Sequence, residues 1–134
     1  MTSGYSTTPL SQKLGVRGGS RVLLLSAPPG FTLDPLPPAV TVRHRVGGEP
    51  FDVVLLFCAH AKSLTDRFTH LIEHTKPAAG LWVCWPKKAS GVTTDLSENA
   101  VREHGLAAGL VDVKIAAIDG TWSALKFVRR VADR

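Results

Sequence analysis

The sequence predicts an α/β domain: a single three-layer, mostly parallel sheet that ends in an antiparallel hairpin. Three observations carry this. Short apolar runs such as Val22–Leu25 and Val53–Cys58 are strand-sized and lack alternation, as expected for strands covered on both faces. Segments of helical periodicity lie between such runs, which implies parallel pairing through crossovers. Finally, Asp119-Gly120 separates two β-rich segments and is a strong hairpin signal.

Taken in order, residues 1–8 are polar and small and form a flexible N-terminus, leaving 9–134 as one domain. Thr8-Pro9 opens a short helix that ends near Gly15, with Pro at the first helical position. Gly18-Gly19 turn the chain into the first strand, Arg21–Ser26. Ala27-Pro28-Pro29-Gly30 breaks that strand, and the stretch to Pro38 has room for one short helical turn. Ala39–Val46 alternates as a second strand and Phe51–Phe57 is a third, buried one. The clearest helix follows, with Leu64, Phe68, Leu71, Ile72 and Thr75 at helical spacing, Ser63 as its cap and Pro77 as its stop. Gly80 leads into the fourth strand, Leu81–Trp85. Asp95 as N-cap and Glu98 as its N3 partner open a helix with the inward stripe Leu96, Ala100, Val101 and Ala108, and Gly109 closes it. Val111–Ile118 and Trp122–Val131 form the hairpin. The whole is Rossmann-like, without repeats or low-complexity segments.

Composition sets bounds on function. The 134 residues are 44% hydrophobic and 20% charged, ordinary for a globular chain. No apolar run approaches a membrane span and no signal peptide is evident, so a cytoplasmic location is expected. Cys58 and Cys84 form no CxxC pair and read as buried, reduced thiols. The formal charge is +5, with eight basic and five acidic residues up to Gly80 and eight and six beyond it. The excess is spread along the chain, so nucleic acid is not the expected partner and weak binding to it ranks third.

The residues that could carry a ligand gather after the fourth strand. Lys87 and Lys88 leave its end, and Thr94, Asp95 and Asn99 surround the next helix start, where unpaired N–H groups and ammonium groups together suit an anion. The bland account is a solvated lysine pair and an ordinary capping box. Arg102 shares an outward face with Asn99 and pairs with Glu98 at i,i+4. Trp85 and Trp122 are candidate walls. His70 and His74 sit four apart with no third ligand at a telling interval, so no metal site is expected. His60, just after a strand end, is a histidine near the cleft without a nameable partner. No GxxxxGK[ST] and no GxGxxG follows the first strand. Ser26-Ala27-Pro28-Pro29-Gly30 stands in its place, and Arg43-His44-Arg45 occupies the end of strand two, where a cofactor ribose calls for an acid. No cofactor is expected from these motifs.

Pro9-Leu10-x-x-Lys13-Leu14-Gly15, Ala27-Pro28-Pro29-Gly30-Phe31, Trp85-Pro86-Lys87-Lys88, Asp95-Leu96-x-Glu98-Asn99, Gly109-Leu110-Val111-Asp112 and Ala117-Ile118-Asp119-x-x-Trp122-Ser123 together resemble a family of short bacterial proteins known as a domain of unknown function. The resemblance implies a stand-alone domain, supplies no catalytic role, and adds Lys13 as a weaker site candidate. From Phe51 to Arg130 the order of elements, with Lys76-Pro77-Ala78-Ala79-Gly80 before a strand, is also similar to the back half of class I methyltransferases. That resemblance implies their fold, while the front of the chain departs from their glycine-rich loop and acid. The first expectation is a domain that binds an anionic small molecule or a protein partner without catalysis. The alternative is a divergent S-adenosylmethionine-dependent methyltransferase.

Overall fold

A computed structural model describes residues 8–134. Its six strands are β1 (Arg21–Leu25), β2 (Thr41–Arg43), β3 (Phe51–Phe57), β4 (Thr75–Pro86), β5 (Leu110–Ala117) and β6 (Trp122–Arg129). They form one sheet in the order β2-β1-β3-β4-β6-β5. The first four pair in parallel, while β6 runs antiparallel to both β4 and β5. This is the expected class, a mixed α/β sheet closed by a hairpin. The proposed tail, apart from Thr8, lies outside the described residues.

The apolar strands alternate their side chains between two cores. On one face Leu23, Val54, Leu56, Val83 and Phe127 meet α2 (Ala61–Glu73) and α3 (Glu98–Ala107). Leu64, Phe68 and Leu71 supply the buried stripe of α2, each worth about 1.5–3 kcal/mol on burial. On the other face Val22, Leu24, Leu55 and Trp82 meet Leu14 and Val16, which follow α1 (Leu10–Lys13), and Leu33 from an irregular segment. Trp82 is fully buried and donates its indole N–H to the Leu14 carbonyl at 3.0 Å. At the start of the sheet, Asp52 accepts from the Arg21 backbone N–H at 2.8 Å and from Lys76 at 2.7 Å. Partial burial pushes the Asp52 carboxyl up, but those two donors outweigh it and hold it below the ordinary value.

Several boundaries differ from expectation, each for a local reason. Ser97, not Asp95, caps α3, accepting from the Ala100 N–H at 3.1 Å. Glu98 is therefore the first helical residue rather than the N3 partner. Asp95 instead accepts from the Ala61 N–H at 2.8 Å and serves the start of α2, which begins two residues before Ser63. A carboxylate there satisfies one orphan donor and complements the helix dipole. Leu96 stays outside α3 and is buried, while Ala108 is the exposed C-cap rather than part of the inward stripe. Gly105 does face inward: a Cβ on it would lie 2.0 Å from Phe127 Cε1.

Pro77 does not stop the clear helix. α2 ends at Glu73, and Pro77 falls in the irregular first part of β4, where the register with β3 shifts. The expected second strand, Ala39–Val46, shrinks to three residues because only Thr41, Val42 and Arg43 find partners on β1. Gly109 has φ +90°, as a residue just past a helix end requires. Asp119 accepts from the N–H groups of Thr121 and Trp122 at 2.8 and 2.9 Å, which fixes the hairpin turn. Among the described residues no helix is long and apolar enough to cross a membrane.

Candidate functional site

The strand order locates the site. From β1 the chain passes to β2 on one side, and from β3 to β4 on the other, so β1 and β3 are neighbours whose connections diverge. The crevice over their carboxyl ends is where open α/β sheets seat ligands. A cleft of about 390 Å³ opens there, lined by Ser26 after β1, Phe57, Cys58 and Ala59 at the end of β3, Ser63, Asp66 and Arg67 on α2, and Trp122 at the start of β6.

Arg67 is the cation in the lining of this cleft, and the neighbouring carboxylate, Asp66, pairs with Lys62 at 3.0 Å. The exposed guanidinium donates to Ser26 Oγ at 2.9 Å, and Ser26 itself holds φ +59°, a strained value for a residue with a side chain. Trp122 and Phe31 stand edge-on to Phe57 at 5.1 and 5.0 Å between ring centres, giving the cleft a rigid apolar wall. Phe31 also lines a second cavity of about 240 Å³, together with Asp34, Val42 and His44 near the end of β2, and the Asp34 carboxylate accepts from the Thr32 hydroxyl at 3.0 Å. On its other side Arg67 also borders a cavity of about 300 Å³ with His44, Arg45 and His70.

Neither cysteine is a nucleophile in this setting. Burial pushes the Cys58 thiol up to about 12, against a downward pull from Arg67, and also pushes the Cys84 thiol well above its ordinary value. The thiolate is the reactive form, so both stay inert near neutral pH. Among the described residues no group of three or more His, Cys, Asp or Glu side chains is arranged to hold a metal.

The structure divides the residues singled out from the sequence into two groups. Lys87, Lys88, Thr94, Asp95 and Trp122 gather at the carboxyl edge, around the start of α2 and the hairpin. Most of their polar groups are already engaged. Lys87 donates from Nζ to the Asp119 carbonyl at 2.8 Å and from its backbone to Thr121 at 2.7 Å. The Thr94 hydroxyl donates to the Ala59 carbonyl at 2.6 Å and accepts from the Leu96 N–H at 3.0 Å. Lys88 is exposed at the start of a 3-10 turn, Lys88–Ser90.

The second group lies elsewhere. Arg102 turns to Asp112 on β5 at 2.8 Å and to Glu98 at 2.7 Å, with Asn99 accepting at 3.3 Å. Its hydrogen bond holds the Asp112 carboxyl below the ordinary range. Trp85 is buried under the helices rather than lining a cleft. Lys13 is exposed, and its carbonyl receives Lys114 at 3.5 Å. His60 is the exposed N-cap residue of α2, and the His70 and His74 rings stack edge-on at 4.7 Å.

Ser26, Cys58 and Arg67 carry no site signal in the sequence. Arg67 gives no motif, only a cation one turn after Ser63, and its role depends on which strand neighbours β1.

No family model matches the sequence, and no curated protein matches it significantly. Solved structures do. An S-adenosylmethionine-dependent methyltransferase from Aquifex aeolicus superposes with a TM-score of 0.62 at 14% identity, over 87% of this chain and 85% of that one. A structure described as a putative methyltransferase from Thermoplasma acidophilum gives 0.58 at 10% identity, over 94% and 76%. A methyltransferase from Burkholderia thailandensis that modifies 1,6-didemethyltoxoflavin, solved with S-adenosylhomocysteine, gives 0.59 at 15% identity, over 90% and 74%. The fold of this chain is therefore methyltransferase-like.

Proposed function

We propose that the cleft over β1 and β3 binds a small molecule bearing a carboxylate, and that this molecule is S-adenosylmethionine or its product, making the chain a divergent methyltransferase. The observation that carries the reading is the position of the cleft at the divergence of β1 and β3, with Arg67 inside it. The solved neighbours favour this reading over binding without catalysis.

The residues present fit such a cofactor by substitution. A cradle of backbone N–H groups after β1 is lacking, because Pro28 and Pro29 have none and the Phe31 N–H is spent on the Pro28 carbonyl at 3.1 Å. Arg67, bonded to Ser26 at the head of that loop, supplies donors for the α-carboxylate instead. Asp34 brings a carboxylate to the adjoining cavity near the end of β2, where Arg43, His44 and Arg45 offer none, and with one oxygen on the Thr32 hydroxyl it would suit a ribose hydroxyl pair reaching there from the cleft. Phe57 and Trp122 form the apolar wall. When bound, the cofactor supplies an activated methyl group; these residues bind and orient it.

A second reading, an anionic metabolite held without catalysis, draws on the cations beside Arg67, namely Arg45, His44 and His70. Calorimetric titration with S-adenosylhomocysteine, and separately with phosphorylated metabolites, tests both. Binding of S-adenosylhomocysteine that weakens at least tenfold in Arg67→Ala and Asp34→Asn supports the methyltransferase reading. Binding of phosphorylated compounds alone supports the second. No heat and no thermal shift with any of them, at millimolar concentration, removes the cleft as a ligand site.

A further inference from the structure

Six basic and histidine side chains that the sequence spreads over fifty residues, from Arg21 to His70, are collected by the fold along one edge. β2 is the edge strand, only three residues long, and a trough of about 520 Å³ runs beside it. Arg43, His44 and Arg45 line this trough, together with Arg21 and the Gly47-Gly48 turn. His44 and Arg45 also line the neighbouring 300 Å³ cavity, which Arg67 and His70 complete, and Arg67 in turn borders the cleft. Neither the trough nor this cavity has an acidic residue in its lining.

The cations are not equivalent. Arg21 is spent: it donates to the Glu49 and Gly47 carbonyls at 2.9 and 2.7 Å and lies over the Phe51 ring at 4.5 Å. The Arg43 and Arg45 side chains are exposed and make no hydrogen bond, ion pair or ring contact among the described residues. Concentrating free guanidinium groups without counter-charges costs stability through self-repulsion. A chain of phosphates relieves that cost and releases its own counterions. The track leads to a cleft walled by Trp122 and Phe57, and a cationic groove ending at aromatic rings is the plan of sites for single-stranded nucleic acid.

We propose that the β2 edge binds the phosphodiester backbone of a single-stranded nucleic acid through Arg43 and Arg45 and delivers one base to the cleft beside Arg67 and Trp122. The trough stands independently of the cofactor reading; only the delivery of a base rests on it.

Fluorescence anisotropy with a labelled single-stranded oligonucleotide tests the proposal, using the whole chain over a range of salt concentration. Binding should weaken with salt. Arg43→Ala/Arg45→Ala, at exposed positions, should lower affinity at least tenfold and reduce the salt slope by about 1.4, at about 0.7 per phosphate contact. A strand of equal phosphate number with its bases removed should bind at least about fivefold more weakly, because base stacking is lost. Arg43→Ala alone, at a position that lines the trough but neither the cleft nor the cavity beside Arg67, should weaken the oligonucleotide and leave any S-adenosylhomocysteine binding unchanged, which separates failure of the track from failure of the cleft. Absence of binding at low salt, indifference to the double variant, or equal affinity for the abasic strand would each overturn the proposal.

Discussion

The two halves of the sheet are built by different means. In the back half each parallel step is covered by a helix. α2 and α3 lie over β3, β4 and β6, and the cavity between α2 and the end of β6 is only about 10 Å³. In the front half the link from β1 to β2 has no helix. Phe31, Leu33 and Leu36 reach the sheet from irregular backbone and line a cavity of about 240 Å³, and a trough of about 520 Å³ runs along the β2 edge. A helix satisfies its own backbone and presents a dense apolar stripe, so it seals the sheet beneath it. Irregular chain must space its few anchors by turns, and it leaves crevices. The candidate chemistry lies where the poorly sealed front meets the rigid back.

Trp82 couples the halves, since its ring sits in the back strand β4 while its N–H holds the Leu14 carbonyl. Trp82→Ala should cost about 3–5 kcal/mol in urea denaturation. A cost below about 2 kcal/mol would mean that the front covering does not depend on this anchor. Paired truncations test the difference in sealing directly. Leu71→Ala, under α2, should cost about 3–4 kcal/mol, and Leu33→Ala, under irregular chain that can collapse inward, about 2 kcal/mol. Equal costs would break the comparison.

Gly105 measures how tightly the back is closed. Alanine there gains helix propensity, yet its Cβ meets Phe127, which is fully buried and cannot swing away. Gly105→Ala should therefore destabilise by about 1–3 kcal/mol, with recovery when Phe127→Leu is added; a stabilised single variant would show a looser interface. The smallest expected effect is at Asp52. Its folded pKa lies below the unfolded value of about 3.9. Its contribution is therefore complete above that value and is lost as pH falls through the folded one. Asp52→Asn should cost about 1 kcal/mol at neutral pH and flatten the acid limb of stability against pH. An unchanged acid limb would show that the bonds to Arg21 and Lys76 do not survive in solution.

Much of the back half was legible in order of residues. The stripe Leu64, Phe68, Leu71 needs only helical spacing, and Asp119-Gly120 needs only local turn chemistry. The exchange of capping roles was not legible, because Asp95 and Ser97 are both competent caps. What decides between them is that the Thr94 turn brings Asp95 against the start of α2, thirty-four residues away in the chain. Arg102 and Asn99 could be placed on an outward face by periodicity, but not opposite Asp112, which depends on β5 occupying the far edge.

By itself the sequence determined which segments are strands and helices, where the hairpin turns, and that no phosphate-cradling loop follows β1. These follow from side-chain periodicity and from proline's missing N–H, which act within a few residues. Only the tertiary structure decided that β1 neighbours β3, that Arg67 reaches Ser26, and that Arg43, Arg45 and Arg67 border one continuous set of cavities. Those depend on strand order, and strand order is settled by how whole faces bury against one another rather than by any short stretch of chain.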